Sequence, residues 1–492
     1  MKRTKNMAAF SGIAVFVLAS GCTVGPKYQR ASAPVPAKWD VPEPWREGAP
    51  KDGVPKGEWW SVFHDEQLDA LEKQTLDANQ TIKIAAAHLE QARSSAALQI
   101  ATQFPTLATA PQAERQRLSG NRASNFNVAA IAPVTQNTFT LPFTVNYEVD
   151  LFGRRRRSIE AAQAAYQASA ADLENVRLVI TSELAGDYFT VRQLDTELGI
   201  LNRTVETLQK GLELVDSRHK GGVASGLDVA QEETLLNTTR TQAILLQQQR
   251  KQFEDAIAVL LGKPAPDFHL APKELNAEPP ALDAGLPSDL LERRPDIAEA
   301  ERQMAAANAQ IGIARAAYFP SLNLFANGGW QATDIAKLLN VQSTLWAVGA
   351  DAAEAIFTGG ARRAQTQFAK AGYDATVAGY RNTVLSAFGE VQDDVTGLTV
   401  LDQAFHSQEQ AVDAARRTLN ISTDRYTGGL VNYLDVVTAQ QTLLNNEQQL
   451  AAIRGQRLVT SVLLIKALGG GWDASSISAV QVKTKLKDVV AP

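Results

Sequence analysis

The apolar residues of this chain change period within a few residues of Gly153, and that change limits the folds open to it. From Phe139 to Leu151 every second residue is apolar: Phe139, Leu141, Phe143, Val145, Tyr147, Val149 and Leu151. Between them lie Thr140, Pro142, Thr144, Asn146, Glu148 and Asp150. Such alternation predicts a strand with one apolar and one mostly polar face. After Gly153 the period becomes seven. Ile159, Tyr166, Leu173, Ile180, Leu194, Leu201, Leu208 and Val215 share one heptad position, interrupted only by Asp187. A second stripe holds Leu184, Val191, Leu198, Val205 and Leu212. A heptad kept this long predicts a long supercoiled helix. A soluble domain seldom joins a long amphipathic strand directly to such a helix. A membrane barrel continued by a helical tube requires that join.

The chain then repeats itself. Ser217-Arg-His-Lys-Gly-Gly-Val-Ala-Ser-Gly-Leu-Asp-Val229 matches Asp424-Arg-Tyr-Thr-Gly-Gly-Leu-Val-Asn-Tyr-Leu-Asp-Val436. Leu261-Gly262 matches Leu468-Gly469 at the same offset, and Phe104-Pro-Thr-Leu107 matches Phe319-Pro-Ser-Leu322. Val391, Leu398, Phe405, Val412 and Leu419 repeat the heptad stripe. Several matches in one order indicate an internal duplication. Each half reads helix, strand, loop, strand, long helix, tight turn, helix.

Helices are expected at about 66–102, 155–218, 226–262, 288–316, 361–426 and 434–468, and strands at about 105–117, 138–151, 320–332 and 344–356. The last helix has its own heptad of Val437, Leu444, Ala451, Leu458 and Ile465. The polar stretch from Gly120 to Gln136 reads as an external loop, with a counterpart after Trp330. No run of eighteen apolar residues follows the N-terminus, which excludes a transmembrane helix. A barrel strand needs only about ten alternating residues. Four strands cannot close a barrel, and an open edge cannot face lipid. Three chains would supply twelve strands; symmetry alone also permits two or four.

Residues 1–21 read as a signal peptide: Lys2, Arg3 and Lys5, an apolar core from Met7 to Leu18, then Ala19-Ser20-Gly21 before Cys22. Cys22 is the only cysteine, so no disulfide forms within one chain. Its position resembles a bacterial lipobox, in which the thiol is lipidated. Ala19 stands where leucine is usual, and an ordinary signal peptide with an incidental cysteine is the alternative. Residues 22–65 form a Pro/Trp-rich extended arm whose aromatics are expected on the outside of the body. The first repeat spans 66–263, a proline-rich linker 264–286, the second repeat 287–472 and a tail 473–492.

Charge and motifs argue against other classes. The formal charge of −5 gives no reason to expect nucleic acid. His64, His88, His219, His269 and His406 form no metal-spaced pair. No nucleophile elbow or phosphate-binding glycine loop is present. Gly469-Gly-Gly471 reads as a helix cap. The basic run Arg154–Arg157 opens a helix just after a strand, where lipid headgroups or the tunnel lie within its reach.

Five stretches carry a more specific resemblance. They are Cys22-Thr-Val-Gly-Pro-Lys-Tyr28, Tyr147-Glu-Val-Asp-Leu-Phe-Gly-Arg154, Gly285-Leu-Pro-Ser-Asp-Leu-Leu-Glu-Arg-Arg-Pro-Asp296, Ala314-Arg-Ala-Ala-Tyr-Phe-Pro-Ser321 and Lys466-Ala-Leu-Gly-Gly-Gly-Trp472. With them the chain resembles outer-membrane factors of the TolC family, in the OprM-like (NodT-type) lipoprotein branch. The resemblance implies a mixed α+β membrane protein: a homotrimer with a twelve-stranded outer-membrane barrel and a coiled-coil helical tunnel across the periplasm. It also implies a periplasmic adaptor, an inner-membrane pump of resistance-nodulation-division type and a covalent lipid on Cys22, with no other cofactor.

On the same grounds Phe139, Leu141, Phe143 and Val145 would face lipid. Gly221, Gly222, Gly428 and Gly429 would form the adaptor-facing turns. Asp228, Tyr426 and Asp435 would form the periplasmic gate, Tyr426 and Asp228 through a closing bond and Asp435 at a constriction. Thr438 stands where a second constriction aspartate is expected, and Val431 where an arginine is usual. The function implied is a passive exit duct for toxic small molecules. A type I secretion duct for proteins or peptides, and a non-conducting envelope lipoprotein, are the alternatives.

Overall fold

A computed structural model describes residues 23–36, 57–119, 134–281, 290–478 and 480–482. The signal peptide, Cys22, Trp39, Trp45 and the end of the tail lie outside these residues. The first repeat opens with α1 (Glu66–Ala78) and α2 (Gln80–Ala101), followed by β1 (Thr106–Thr109), β2 (Gln112–Leu118) and β3 (Val134–Val149). It closes with α3 (Arg154–Lys220) and α4 (Gly226–Leu260). The second repeat holds α5 (Pro295–Ala316), β4 (Ser321–Ala332), β5 (Thr344–Ala353), α6 (Ala361–Thr427) and α7 (Tyr433–Ala467).

The duplication is visible in the boundaries. α3 and α6 each have 67 residues, and α4 and α7 each have 35. Each end of α6 and α7 lies 207 residues beyond the matching end of α3 and α4, as Ala361 does beyond Arg154. At ~1.5 Å per residue the two long helices extend about 100 Å. The heptad stripes are what they bury: Leu184, Val191, Leu208 and Val215 on α3, and Val391 and Phe405 on α6, are at most 5% exposed. Burying a side chain of this size is worth about 1.5–3 kcal/mol. α3 packs on α2, α4, α5 and α7, and α6 packs on α5 and α7.

Three expectations are corrected. The first helix is two, because Asn79 interrupts it. The Asn79 side chain accepts from Thr81 N at 2.8 Å and Ile82 N at 3.1 Å, which caps α2, while its amide donates to Leu260 O at 2.9 Å. The first strand is also two. The registers Thr109↔Phe143 and Gln112↔Thr140 run on without an inserted residue. Continuing them sets Pro111 opposite Leu141 and Ala110 opposite Pro142, and two residues without N–H groups in adjacent rungs interrupt the ladder there.

The third correction concerns the arm. Trp59 and Trp60 are not on the outside; they are 2% and 1% exposed. Trp59–Phe63 forms a short 3₁₀ turn sunk into the core beside Leu184, Tyr188 and Phe189, where Trp59 Nε1 donates to Thr181 Oγ1 at 3.1 Å. Burying two indoles outweighs an extended path for this segment. Residues 23–36 stay extended along α5. Asn308 donates to Pro26 O at 3.3 Å, Tyr28 to Glu301 Oε1 at 3.1 Å and Arg381 to Ser32 O at 3.1 Å.

Candidate functional site

The sheet collects its apolar residues on one face. The order is β1/β2, then β3, β4 and β5, all antiparallel. Phe143 pairs with Gly328 and Gly328 with Trp346; Val145 pairs with Leu107 and Ala326, and Ala326 with Val348. Because alternate residues share a face, Phe139, Leu141, Phe143 and Val145 lie with Leu107, Leu322, Leu324, Trp330, Trp346 and Val348. Phe143 and Trp330 meet edge to face, centroids 6.4 Å apart. The other face carries Gln112, Glu114, Thr144, Asn146, Glu148, Asn323, Asn327 and Asp351. Trp346 and Val348 are 79% and 69% exposed in the single chain. The outer edges of β1/β2 and of β5 carry no strand partner among the described residues.

At the foot of the sheet the basic run finds acids. Arg154 and Arg155 both reach Glu148 Oε2, at 2.6 and 3.0 Å, and Arg156 reaches Asp150 at 3.1 Å. Arg157 pairs with Glu160 at 2.7 Å and donates to the carbonyls of Val24 and Gly25. The run therefore fastens the strand-to-helix join and holds the start of the arm against it. Gly153, at φ +82°, opens α3 with Thr23 packed so close that a Cβ would overlap it.

The two turns at the far end are copies of one another. Val223 N donates to Arg218 O and Leu430 N to Arg425 O, each at 2.8 Å. Gly222 N donates to His219 O and Gly429 N to Tyr426 O, which completes a Schellman closure in both. Gly222 at φ +75° and Gly429 at φ +72° need glycine; Gly221 and Gly428 have negative φ. Each turn exposes an apolar pair, Val223 with Leu227 and Leu430 with Leu434.

The predicted gate residues gather at these turns but are held differently. Asp228 forms a capping box with Ser225: Ser225 N donates to Asp228 Oδ2 at 2.9 Å and Asp228 N to Ser225 Oγ at 3.2 Å. Tyr426 lies under the Arg218 guanidinium at 4.9 Å and against the Tyr433 ring at 4.9 Å. Burial raises its hydroxyl pKa; Arg218 lowers it and Asp228 raises it. Within one chain Tyr426 and Asp228 are near neighbours without a direct hydrogen bond. Asp435 occupies the matching place on α7, where Asn432 makes no side-chain cap, and its carboxylate is exposed.

Two features lay outside the sequence reading. Asp187, the break in the heptad, recurs as Asp394 on α6. Burial and a neighbouring glutamate, Glu183 or Glu390, raise these acids to about 6 and about 7. The other feature is a buried ionic network. Asp195 receives Arg192 at 2.8 Å and Arg250 at 2.5 Å; Arg250 also meets Glu254 at 3.0 Å. Leu270 N donates to Glu254 and Lys273 N to Asp195, at 2.6 and 3.1 Å, so the network pins the linker onto α3 and α4. Arg457 and Asp402, 2.7 Å apart, repeat the Arg250–Asp195 pair in the second half. The shared 207-residue offset was the signal that would have found it.

The comparisons with known proteins agree with this geometry. The pattern of the outer membrane efflux protein family matches residues 71–263 and 286–470. The chain is 32% identical over 471 residues to the probable efflux pump outer membrane protein TtgC of Pseudomonas putida, covering 95% of this chain and 96% of that one. It is 32% identical over 481 residues to the pyoverdine export outer membrane protein OpmQ of Pseudomonas aeruginosa, covering 95% and 98%. The solved outer-membrane channel OprN superposes with a TM-score of 0.84 at 28% identity, over 92% of this chain and all of that one. With its barrel sheet set above duplicated helical hairpins, the chain belongs to the outer membrane efflux protein family and is an outer-membrane channel rather than an enzyme.

Proposed function

We propose that three copies of this chain close a twelve-stranded pore in the outer membrane and a continuous helical duct beneath it. In this reading a periplasmic adaptor docks on the paired turns, and a pump of resistance-nodulation-division type in the inner membrane delivers toxic small molecules into the duct. The observation that carries it is the sheet: an apolar face running across β1, β3, β4 and β5, with neither outer edge paired among the described residues, on a chain whose family is an efflux family. In lipid an unpaired edge leaves backbone groups unsatisfied, so the edge of β5 must meet β1/β2 of the next copy. Phe139, Leu141, Phe143 and Val145 then face lipid. The exposed Val223, Leu227, Leu430 and Leu434 supply the adaptor with apolar contacts. Cross-linking in the native cell followed by co-purification tests the partners: the adaptor is expected to be joined at Gly221–Gly222 and Gly428–Gly429, and links confined to other surfaces would contradict the assignment.

The gate follows from the same assembly. Asp435 occurs once per chain, so three exposed carboxylates ring the periplasmic mouth and attract cations. Asp435→Ala is expected to weaken cation selectivity and block by multivalent cations, measured in planar bilayers at one salt concentration. Unchanged selectivity would remove Asp435 from the constriction. Asp228 and Tyr426, placed in opposite turns, hold the closed packing that adaptor contact shifts. Tyr426→Phe combined with Asp228→Ala is expected to raise conductance without an adaptor.

The lipid anchor is a further part of the proposal. Thr23, next to Cys22, packs against Gly153 at the foot of the sheet, and Val24 N donates to Phe152 O at 3.1 Å. An acyl chain on Cys22 would therefore enter the membrane where the barrel leaves it, adding about 0.8 kcal/mol per buried CH₂. Intact-mass measurement of the mature chain is expected to show a lipidated Cys22 as the first residue. A mature chain with a free thiol there would contradict it.

A further inference from the structure

Glu232 lies one helical turn beyond Asp228 on α4 and is 0% exposed. Neither carboxyl oxygen completes a hydrogen bond of normal geometry. The side chain fills a place that α3 leaves open at Gly211. A Cβ there would overlap Glu232 Oε1 and come within 3.4 Å of the Tyr433 hydroxyl, so carboxyl and phenol converge on one glycine. Tyr433 is 4% exposed, and its ring packs on Tyr426 between the two turns.

The duplication supplies an internal comparison. At the shared offset Glu232 corresponds to Ala439, Gly211 to Thr418 and Tyr433 to Gly226. Ala439 is buried at 4% without a carboxyl group, so the helix pairing itself does not require an acid here. The acid and the glycine that clears room for it occur only in the first half, and the phenol beside them is supplied by the second, where the first half has Gly226.

We propose that Glu232 is a proton-operated latch: as a neutral acid it lets α3, α4 and Tyr433 pack into the closed tip, and its ionisation drives the tip open. The proposal rests on the channel reading above. An ionised carboxylate buried with no cation beside it and only the Tyr433 phenol in reach is costly, and opening the tip hydrates it. Burial raises the Glu232 pKa from 4.5 to about 7, with Tyr433 acting in the opposite direction. Burial and Glu232 in turn raise the Tyr433 hydroxyl. Of the other charged groups at the tip, Arg218 of α3 lies on the Tyr426 ring, Lys220 of α3 pairs with Asp216 at 2.6 Å, Asp228 of α4 is held in its cap, and Asp435 of α7 is exposed to solvent. His219 bonds Ala224 O through Nδ1 within its own turn.

A buried acid with a raised pKa keeps its proton at a pH where a hydrated one has lost it. Closed and open tips are therefore balanced equally by Glu232 below pH 4.5. Between 4.5 and about 7 the closed tip loses ground, and it does not recover above that range. From pH 5.5 to 8 the open-to-closed ratio should rise about tenfold or more per chain, since one pKa unit is a tenfold change.

The test uses the purified full-length protein in planar bilayers at both pH values, with Glu232→Gln, Glu232→Ala and His219→Gln beside the wild type. Open probability is expected to rise at pH 8 in the wild type and in His219→Gln, and to be flat in both Glu232 variants. A wild-type response that survives in Glu232→Gln, or disappears in His219→Gln, would overturn the latch. A second readout does not depend on conduction: distances between spin labels placed at Leu430 of each copy. They should lengthen at pH 8 in the wild type and stay fixed in Glu232→Gln. Silence in the bilayer with a pH-dependent label distance would reject the channel and keep the latch. Label distances unaffected by pH would reject the latch.

Discussion

Arg250→Ala is expected to cost about 3–5 kcal/mol, because it removes the one guanidinium shared by two buried carboxylates and leaves their charge under-compensated. Arg250 is 8% exposed, and its side chain neutralises Asp195 and Glu254, which are 6% and 1% exposed. Without it Arg192 is the one cation left on Asp195, and Glu254 loses the buried guanidinium, keeping the Leu270 amide at 2.6 Å and, from the solvent side, His269 Nδ1 at 2.8 Å and Lys251 Nζ at 3.6 Å. The linker would detach from α3 and α4, since Arg250 Nη2 also donates to Leu270 O at 2.6 Å. The matching change in the second half should be milder. Arg457 pairs with Glu278 and Asp402, whose side chains are 59% and 52% exposed and can take up water instead. Thermal unfolding of the two variants checks this: Arg250→Ala should lower the transition far more than Arg457→Ala, and equal losses would mean that burial does not govern the difference.

A charge on the apolar face of the sheet should be nearly as damaging, and only in the membrane. Phe143 sits midway along β3, opposite Gly328 and beside Trp330. An arginine facing lipid near the midplane costs about 2–4 kcal/mol, and much less near an interface. Thr144, the next residue, faces the polar side, where an arginine meets water. Phe143→Arg is therefore expected to abolish or sharply reduce trimer recovered from outer membranes, while Thr144→Arg leaves the yield close to wild type. Equal yields would reject the assignment of faces.

Much of this architecture was legible because each element carries its own period and its own punctuation. Gly153, Gly222 and Gly429 stand where left-handed backbone ends or starts a helix, so the boundaries of α3, α4, α6 and α7 lie within a few residues of those read from the pattern. Alternation identified β3 and its apolar face directly. What escaped was carried by single residues or by distant partners. Trp59 and Trp60 lie in a proline-rich stretch too short to show a period, and their burial depends on Thr181 and Phe189 more than a hundred residues away. Asn79 splits a helix through one side-chain cap, which leaves the apolar pattern intact. The break between β1 and β2 needs Pro142 of the neighbouring strand as well as Pro111.

The functional end shows the same division. The paired turns were found through the duplication, and Asp228, Tyr426 and Asp435 were singled out within them by the family resemblance. The distinct states of the two aspartates, one locked in a cap and one exposed, depend on Ser225 facing Asn432 across the repeat, a difference visible only once the caps are seen. The convergence of Glu232 on Gly211 joins residues of two helices with no shared local pattern.

The central claim is that this chain, assembled with its copies, forms a water-filled duct. Single-channel recording of the purified protein in a planar lipid bilayer tests it most directly. Stepwise, cation-preferring currents are expected, with the preference reduced in Asp435→Ala. Protein shown to be inserted in the bilayer but passing no current, under conditions that open its tip, would contradict the account and leave a structural envelope protein in its place.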